Sequence, residues 1–396
     1  MPRASVAALA AIAALGASGA HATGLRYIGQ QTVPTAESFG GTRIGGLSGI
    51  EYIGGNSYLV ISDDRSQIGP ARFYTAQLDI TPAAFTGVTF TAVTTLKNPA
   101  GNPYALNTVD PESIRRLANG NILYASEGVT DSGADVFVRE ALADGTYVRD
   151  VTLPTGVQQT GPGGSSGVAN NFGFESLTIT PDGTIVAATE NALRQDGPLA
   201  GPGVGSVARI LTFDGTTGAP GAQYAYAVPA LTATPDPPTG LALNGLVELL
   251  SLGGTRYIAL ERSLVTGLVT PSSATGYSAK LYVIDIAGAT DISGLAALDG
   301  QSFTPVSKTL LLDLDTLGIP LEGVEGVSFG QTLSNGSRSL VLVADNDFSP
   351  RRNSQFFAFE LTESPAGVPE PSAWAMLIAG FGLAGARLRR SARQPA

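Results

Sequence analysis

The chain has no cysteine, and only one histidine and one tryptophan, in 396 residues. Without thiols it has no disulfide, no cysteine nucleophile and no thiolate metal site. The histidine is His21, inside an N-terminal stretch with the marks of a cleaved leader. A Ser-His-Asp triad and a His-ligated zinc are therefore excluded from the mature chain. Aromatic residues make up 7% and charged residues 14%, both modest. Acid–base chemistry is left to Asp, Glu, Lys and Tyr. A metal would be a hard cation held by oxygen, most naturally Ca²⁺.

What is abundant is glycine (50) and proline (25), which break up short runs of Val, Ile, Thr, Tyr and Phe. This is the pattern of an all-β chain with many turns. Both ends read as addresses. Residues 1–22 have one early base, Arg3, an apolar stretch from Val6 to Leu15, and the small-residue site Ala20-His21-Ala22, which predicts a signal peptide cut after Ala22. At the other end Pro369-Glu370-Pro371 precedes Trp374, an apolar run from Ala373 to Ala386, and the bases Arg387, Arg389, Arg390 and Arg393. That run is near the shortest that spans a bilayer, and the arginines would hold its end in the cytoplasm. The division expected is a signal peptide over 1–22, a body over 23–362, a linker over 363–368 and a tail over 369–396. Residues 23–369 keep 18 bases and 32 acids, a net charge of −14, which should repel nucleic acid and anionic membranes.

Within the body one pattern recurs five times: GLSGIEYIGGNSYLVISDD, DPESIRRLANGNILYASEG, FESLTITPDGTIVAATEN, VELLSLGGTRYIALERS and VEGVSFGQTLSNGSRSLVLVADN. Each reads as an acid, a strand, a turn, a second strand and another acid. The leading acids are Glu51, Glu112, Glu175, Glu248 and Glu325; the trailing ones are Asp63 with Asp64, Glu127, Glu190, Glu261 and Asp345. In an antiparallel hairpin the start of one strand lies beside the end of the next, so each pair should sit at one hairpin end. A third strand follows each hairpin, and a fourth follows four of them. The fifth copy lacks its fourth strand, and Leu25–Val33 can supply it. This predicts a β-propeller of five four-stranded blades closed by an N-terminal strand, with six shorter blades or a β-solenoid as alternatives. Long Gly/Pro-rich loops share the acidic end, as a binding face would have them. Residues 287–303 are expected to hold a short helix on the opposite face.

The tail, in its PEPxxWAMLIAGFGxxG form, resembles a PEP-CTERM sorting signal. The resemblance implies a Gram-negative exporter, an exosortase as partner, transient membrane contact through the tail, and an extracellular or cell-surface destination. The ordered motifs DPESI…GNILYASEG, GFESLTITPDG…AATEN, ELLSL…YIALERS and LEGVEGVSFG…LVLVADND resemble the phytase-like family, described as having esterase-like activity. That resemblance implies a propeller and a hydrolytic activity on phosphoesters or other esters.

Carboxylates crowded at one mouth need bases, protons or a cation. The candidate metal ligands are Glu112, Glu127, Glu175, Glu190, Glu261, Glu325 and Asp345, with Ca²⁺ as the cofactor. Arg65 and Arg262 are candidates for binding a substrate anion, and Glu175 or Glu190 for the base. The function expected is metal-assisted hydrolysis of a small phosphorylated or other ester by a secreted or surface protein. Two alternatives are a Ca-stabilised, non-enzymatic module that binds extracellular matrix and a lactonase-like propeller hydrolase. Asp144, Asp182 and Asp214, each before a glycine, are expected in tight turns.

Overall fold

The computed structural model describes residues 22–159, 163–270 and 275–364. The predicted signal peptide up to His21, most of the linker and the tail lie outside the described residues. The chain divides into a body, Leu25–Leu361, and a unit made of its two termini, of which only 22–24 and 362–364 are described.

The strands are β1 (Ala22–Val33), a two-residue ladder of β2 (Ser38–Phe39) with β3 (Thr42–Arg43), and then one blade after another. Blade 1 is β4 (Leu47–Gly54), β5 (Ser57–Ser62), β6 (Arg72–Ile80) and β7 (Phe85–Thr95). Blade 2 is β8 (Pro111–Arg116), β9 (Ile122–Ser126), β10 (Phe137–Ala141) and β11 (Tyr147–Asp150). Blade 3 is β12 (Phe174–Ile179), β13 (Ile185–Thr189), β14 (Ser206–Phe213) and β15 (Pro220–Val228). Blade 4 is β16 (Ala242–Gly253), β17 (Arg256–Val265), β18 (Tyr277–Asp285) and β19 (Ser307–Asp313). Blade 5 is β20 (Gly323–Thr332), β21 (Arg338–Asp345) and β22 (Ser354–Ser364), with β1 as its outer strand.

The innermost strands β4, β8, β12, β16 and β20 each lie against the next, and β20 returns to β4. Five antiparallel sheets thus close a ring, and the strand borrowed from the N-terminus removes the open edge of blade 5. Blades pack face to face, so a middle strand is buried on both sides and reads as a continuous apolar run instead of an alternating one. Seven of the eight residues of β21 are buried. Each seam between neighbouring blades holds its own core. Ile61 and Phe73 of blade 1 meet Ile114 and Tyr124 of blade 2, and Leu260 and Leu281 of blade 4 meet Leu342 and Phe357 of blade 5. Burying each such side chain contributes about 1.5–3 kcal/mol. The tight turns fall where expected: Asp182 and Asp144 accept from the backbone N–H groups of Thr184 and Thr146, and Gly183 has a φ of 89° that favours glycine.

The helix expected over 287–303 is absent. The segment runs as a loop whose Ile292 and Leu298 are buried with Ala225 of blade 3. Its apolar residues are spaced for plugging a gap, and its Gly and Asp residues favour turns over a helix. Among the described residues the helices are two 3₁₀ turns, Thr130–Ser132 and Leu314–Leu317, and no helix is long and apolar enough to cross a membrane.

One buried ion pair lies on the ring's axis and ties all five blades. Arg115 of blade 2 pairs with Glu248 of blade 4 at 2.8 Å. Its guanidinium also donates to the carbonyls of Ile50 in blade 1, Leu249 in blade 4 and Val327 in blade 5. Glu248 in turn accepts from the Ser113 hydroxyl of blade 2 and the Leu177 N–H of blade 3. A charge pair this deep must have its hydrogen bonds satisfied, and nearly all of them are.

Candidate functional site

Every innermost strand carries a β-bulge at the same place, where two residues oppose one. Between β12 and β13 the pairs Phe174↔Thr189 and Ser176↔Ala188 leave Glu175 as the extra residue. The same count singles out Ser48, Val247 and Glu325 in blades 1, 4 and 5, and in blade 2 the irregularity between Pro111 and Ile114 contains Glu112. A bulge re-aims a side chain, and in blades 2, 3 and 5 it turns a glutamate to the same end of the ring, while Val247 of blade 4 packs in the core. The facing position on the second strand holds Asp63, Glu127, Glu190, Arg262 and Asp345. Three of these donate their backbone N–H across the hairpin, Asp63 to Gly46, Glu127 to Asp110 and Glu190 to Gly173. The other two pair with Gly245 and Gly323 in the register.

This register sorts the expected acids. Glu112, Glu127, Glu175, Glu190, Glu325 and Asp345 share the mouth and are buried. Glu248 does not join them: it stands one residue beyond the bulge and turns inward to Arg115. Glu51 stands three residues beyond the bulge, toward the opposite end. Glu261 also fails to join them, since Arg262 occupies the facing position. Glu261 points into the seam with blade 3, where it pairs with Lys308 and accepts from the Tyr226 hydroxyl at 2.8 Å. Asp64 is spent on structure, held by Arg72 at 2.7 Å and by the backbone N–H groups of Gln67, Ile68 and Gly69.

Asp63 and Asp110 enlarge the group. Asp110 replaces a glycine: the corresponding residues are Gly46, Gly173, Gly245 and Gly323, and a Cβ on Gly173 would lie 2.2 Å from the Glu127 carbonyl oxygen. Carboxylate oxygens of Asp110, Glu112 and Glu127 lie within 4.8 Å of one another, and all three residues are buried. Neither Asp110 oxygen has a hydrogen-bond partner of good geometry among the described residues, although Arg65 makes an ion contact at 2.5 Å.

Among the described residues, seven buried acids and the half-buried Asp63 therefore face two arginines. Arg65 reaches from blade 1 to Asp110 at 2.5 Å and Glu127 at 3.3 Å. Arg262 bridges Glu325 at 2.8 Å and Glu190 at 3.3 Å, joining blades 3, 4 and 5. Burial, reinforced by like charge, holds the acids protonated to higher pH than usual. Asp63 is pushed up to about 8, and Asp110 and Glu325 to about 7. Glu112 is raised well above the normal range by burial and then by Glu175, Asp110, Glu127 and Asp63, all of the same sign. Glu127, Glu175 and Asp345 are raised for the same reasons, and Glu190 by burial against the pull of Arg262.

Backbone strain gathers here as well. The non-glycine residues with positive φ among those described are Ser66, Asn107, Asn171, Asp347 and Phe348. Ser66 follows Arg65, Asn107 donates its N–H to the Arg65 carbonyl, and the Asn171 side chain accepts from the Arg65 guanidinium. Asp347 and Phe348 line a cavity of about 190 Å³ with Asp63 and Arg65. Such conformations cost on the order of 1–3 kcal/mol each and persist where a site over-determines them. Sequence reasoning passed over Asp110, Asn107 and Asn171. The available signal was Asp110 in VDPES, where the aligned repeats have glycine.

A five-bladed propeller with a carboxylate-lined mouth is thus the class of protein defined here. The family model described as phytase-like, esterase-like activity of phytase, matches residues 42–348, and the chain belongs to this family. The PEP-CTERM protein-sorting motif matches residues 367–391, a signal for export and surface sorting in Gram-negative bacteria that exosortases recognise. No curated protein matches the sequence. Similar solved structures include an endo-arabinase from Bacteroides thetaiotaomicron, 9% identical over 84% of this chain and 98% of that one, with a TM-score of 0.42. A thermostable family-43 glycoside hydrolase is 10% identical over 83% and 96%, with a TM-score of 0.44. The gluconolactonase XC5397 of Xanthomonas campestris is 12% identical over 85% and 91%, with a TM-score of 0.32.

Proposed function

We propose that this exported propeller hydrolyses phosphate or other esters at its acidic mouth with the help of a hard divalent cation, Ca²⁺ being the best fit. The observation that carries this reading is the convergence of Asp110, Glu112 and Glu127 within 4.8 Å in a buried setting. The donor set fits such an ion, because it is all carboxylate oxygen and includes no nitrogen or sulfur ligand. Asp110, Glu112 and Glu127 would hold the cation, with Glu175, Glu190, Glu325 and Asp345 completing the negative surround. When bound, the ion would supply a Lewis acid for a phosphoryl or acyl oxygen.

The remaining roles belong to the chain itself. Arg65, fixed by three strained residues around it, offers a pre-set guanidinium to an anionic oxygen of the substrate. Arg262 does the same from blade 4 while it keeps Glu190 and Glu325 apart. Glu175 accepts the proton of the attacking water, since Glu190 is already engaged by Arg262. The test is turnover of phytate, simple phosphoesters and carboxylic esters, each with and without calcium. A folded protein that turned over none of them would remove the hydrolase reading.

A further inference from the structure

At the end of the axis opposite the acids lies a pit of about 470 Å³ to which every blade contributes. Its charge is of the other sign. Arg115 and Arg116 come from β8 and Arg338 from β21, and they face the carboxylates of Glu51 and Glu248. Arg115 accounts for Glu248, and Glu51 is 4.0 Å from its Nε. That Nε is buried and has no hydrogen-bond partner among the described residues. Arg116 and Arg338 make no ion pair within 4 Å among those residues. Arg116 spends one N–H on the Ile53 carbonyl at 3.3 Å. Arg338 lies 3.8 Å from the centre of the Phe329 ring. Stacking fixes the plane of a guanidinium and leaves its N–H edge free for an oxyanion. Arg116 and Arg338 are exposed and solvated, so the feature that points to a ligand is the buried, unpartnered Nε of Arg115 at the base of the pit.

We propose that this pit binds a small oxyanion, a phosphate or a carboxylate group, between Arg116 and Arg338 and above Arg115. Charge-assisted bonds from two guanidinium groups match the geometry of either anion. Glu51 sets a limit on the affinity, since its carboxylate competes for Arg115 and Arg338. Burial already favours the protonated form of Glu51, which lowers that competition. The Arg115–Glu248 pair separates this site from the acidic mouth, so the two should load independently.

Isothermal titration of the full folded protein, in calcium-free buffer, tests this with two titrants, inorganic phosphate and galacturonate. Saturable binding of at least one is expected, with a Kd of roughly 0.1–10 mM. Arg338→Gln and Arg116→Gln should each weaken it about tenfold. Glu51→Gln should tighten it, and Asp110→Asn at the other mouth should leave it unchanged. The titrant that binds more tightly identifies the anion. Failure of both titrants to bind, or binding that survives both arginine substitutions, overturns the proposal. Binding lost in Asp110→Asn instead would place the anion at the acidic mouth and overturn it equally.

Discussion

Replacing Asp110 by asparagine should raise the melting temperature of the calcium-free protein and abolish its response to calcium. Burial lifts the Asp110 carboxyl from 3.8 to about 7, despite Arg65 beside it. At about pH 8 the group is ionised in both the folded and the unfolded chain, so the fold bears the cost of the buried charge. At about 1.4 kcal/mol for each tenfold change in proton affinity, that cost approaches about 4 kcal/mol. A body spanning Leu25–Leu361 unfolds with an entropy on the order of 0.7 kcal/mol/K. Removing the charge should therefore raise the midpoint by up to about 6 °C in EDTA. If the site holds calcium, a hundredfold excess over its Kd should stabilise the wild type by about 2.7 kcal/mol, or about 4 °C. Asp110→Asn, with one of three carboxylates gone, should show less than about 1 °C of that shift. Thermal melts followed by circular dichroism at about pH 8, with EDTA and with calcium, give both numbers. If the variant melts below the wild type in EDTA, or keeps the full calcium shift, the three carboxylates are not a cation site.

Without calcium, the melting temperature of the wild type should fall as pH rises through the window set by Asp110, Glu325 and Asp63, from about 4 to about 8. Their folded values are raised, so stability is greatest where both states are protonated, falls with pH while the unfolded carboxyls are ionised and the folded ones still hold their protons, and levels off once the folded ones ionise; a melt series across that range, flattened by calcium, checks it. Glu248→Leu should cost about 3–5 kcal/mol by stranding Arg115, a fall of about 4–7 °C, and Arg115→Met in the same chain should recover part of it in the same melts. On any ester that is turned over, Glu175→Gln should lower kcat on the order of 100-fold with KM little changed, whereas Arg65→Gln should act chiefly on KM; steady-state kinetics separate the two.

The fold was legible because its signals are local and repeated. Glycine-marked turns, apolar runs and a missing fourth strand in the last copy point to five blades and to closure by residues 25–33, and β1 pairs with β22 as that demands. Residues 287–303 were misread because a loop that plugs a seam has apolar residues but no register to betray it. The candidate site was legible in outline only. Aligning repeats by their acids brought Glu112, Glu175 and Glu325 into line but misplaced Glu51, Glu248 and Glu261. What fixes the alignment is the bulge, and a bulge is a property of strand pairing that spacing along one strand does not reveal. Aligned by bulges, blade 4 has Val247 and Arg262 where blades 2 and 3 have acids.

That exception in blade 4 explains how so acidic a mouth holds together without a cation. With acids at both positions in all five blades, the ring would gather like charges with no buried counter-charge of its own. Arg262 removes one acid and adds a base at the same point, and its two ion pairs cross both flanking seams, to Glu190 and to Glu325. Val247 faces the core instead of the axis and joins the seam between blades 4 and 5. The repulsion is thus relieved on the blade 4 side of the mouth and left standing around Asp110, Glu112 and Glu127, where the one base in contact among the described residues is Arg65. An uneven ring of this kind concentrates the unmet negative charge on one side. A single cation seated there would relieve more repulsion than it would at the centre, and Glu248, one residue out of step with the other acids, meanwhile holds the five blades together from within.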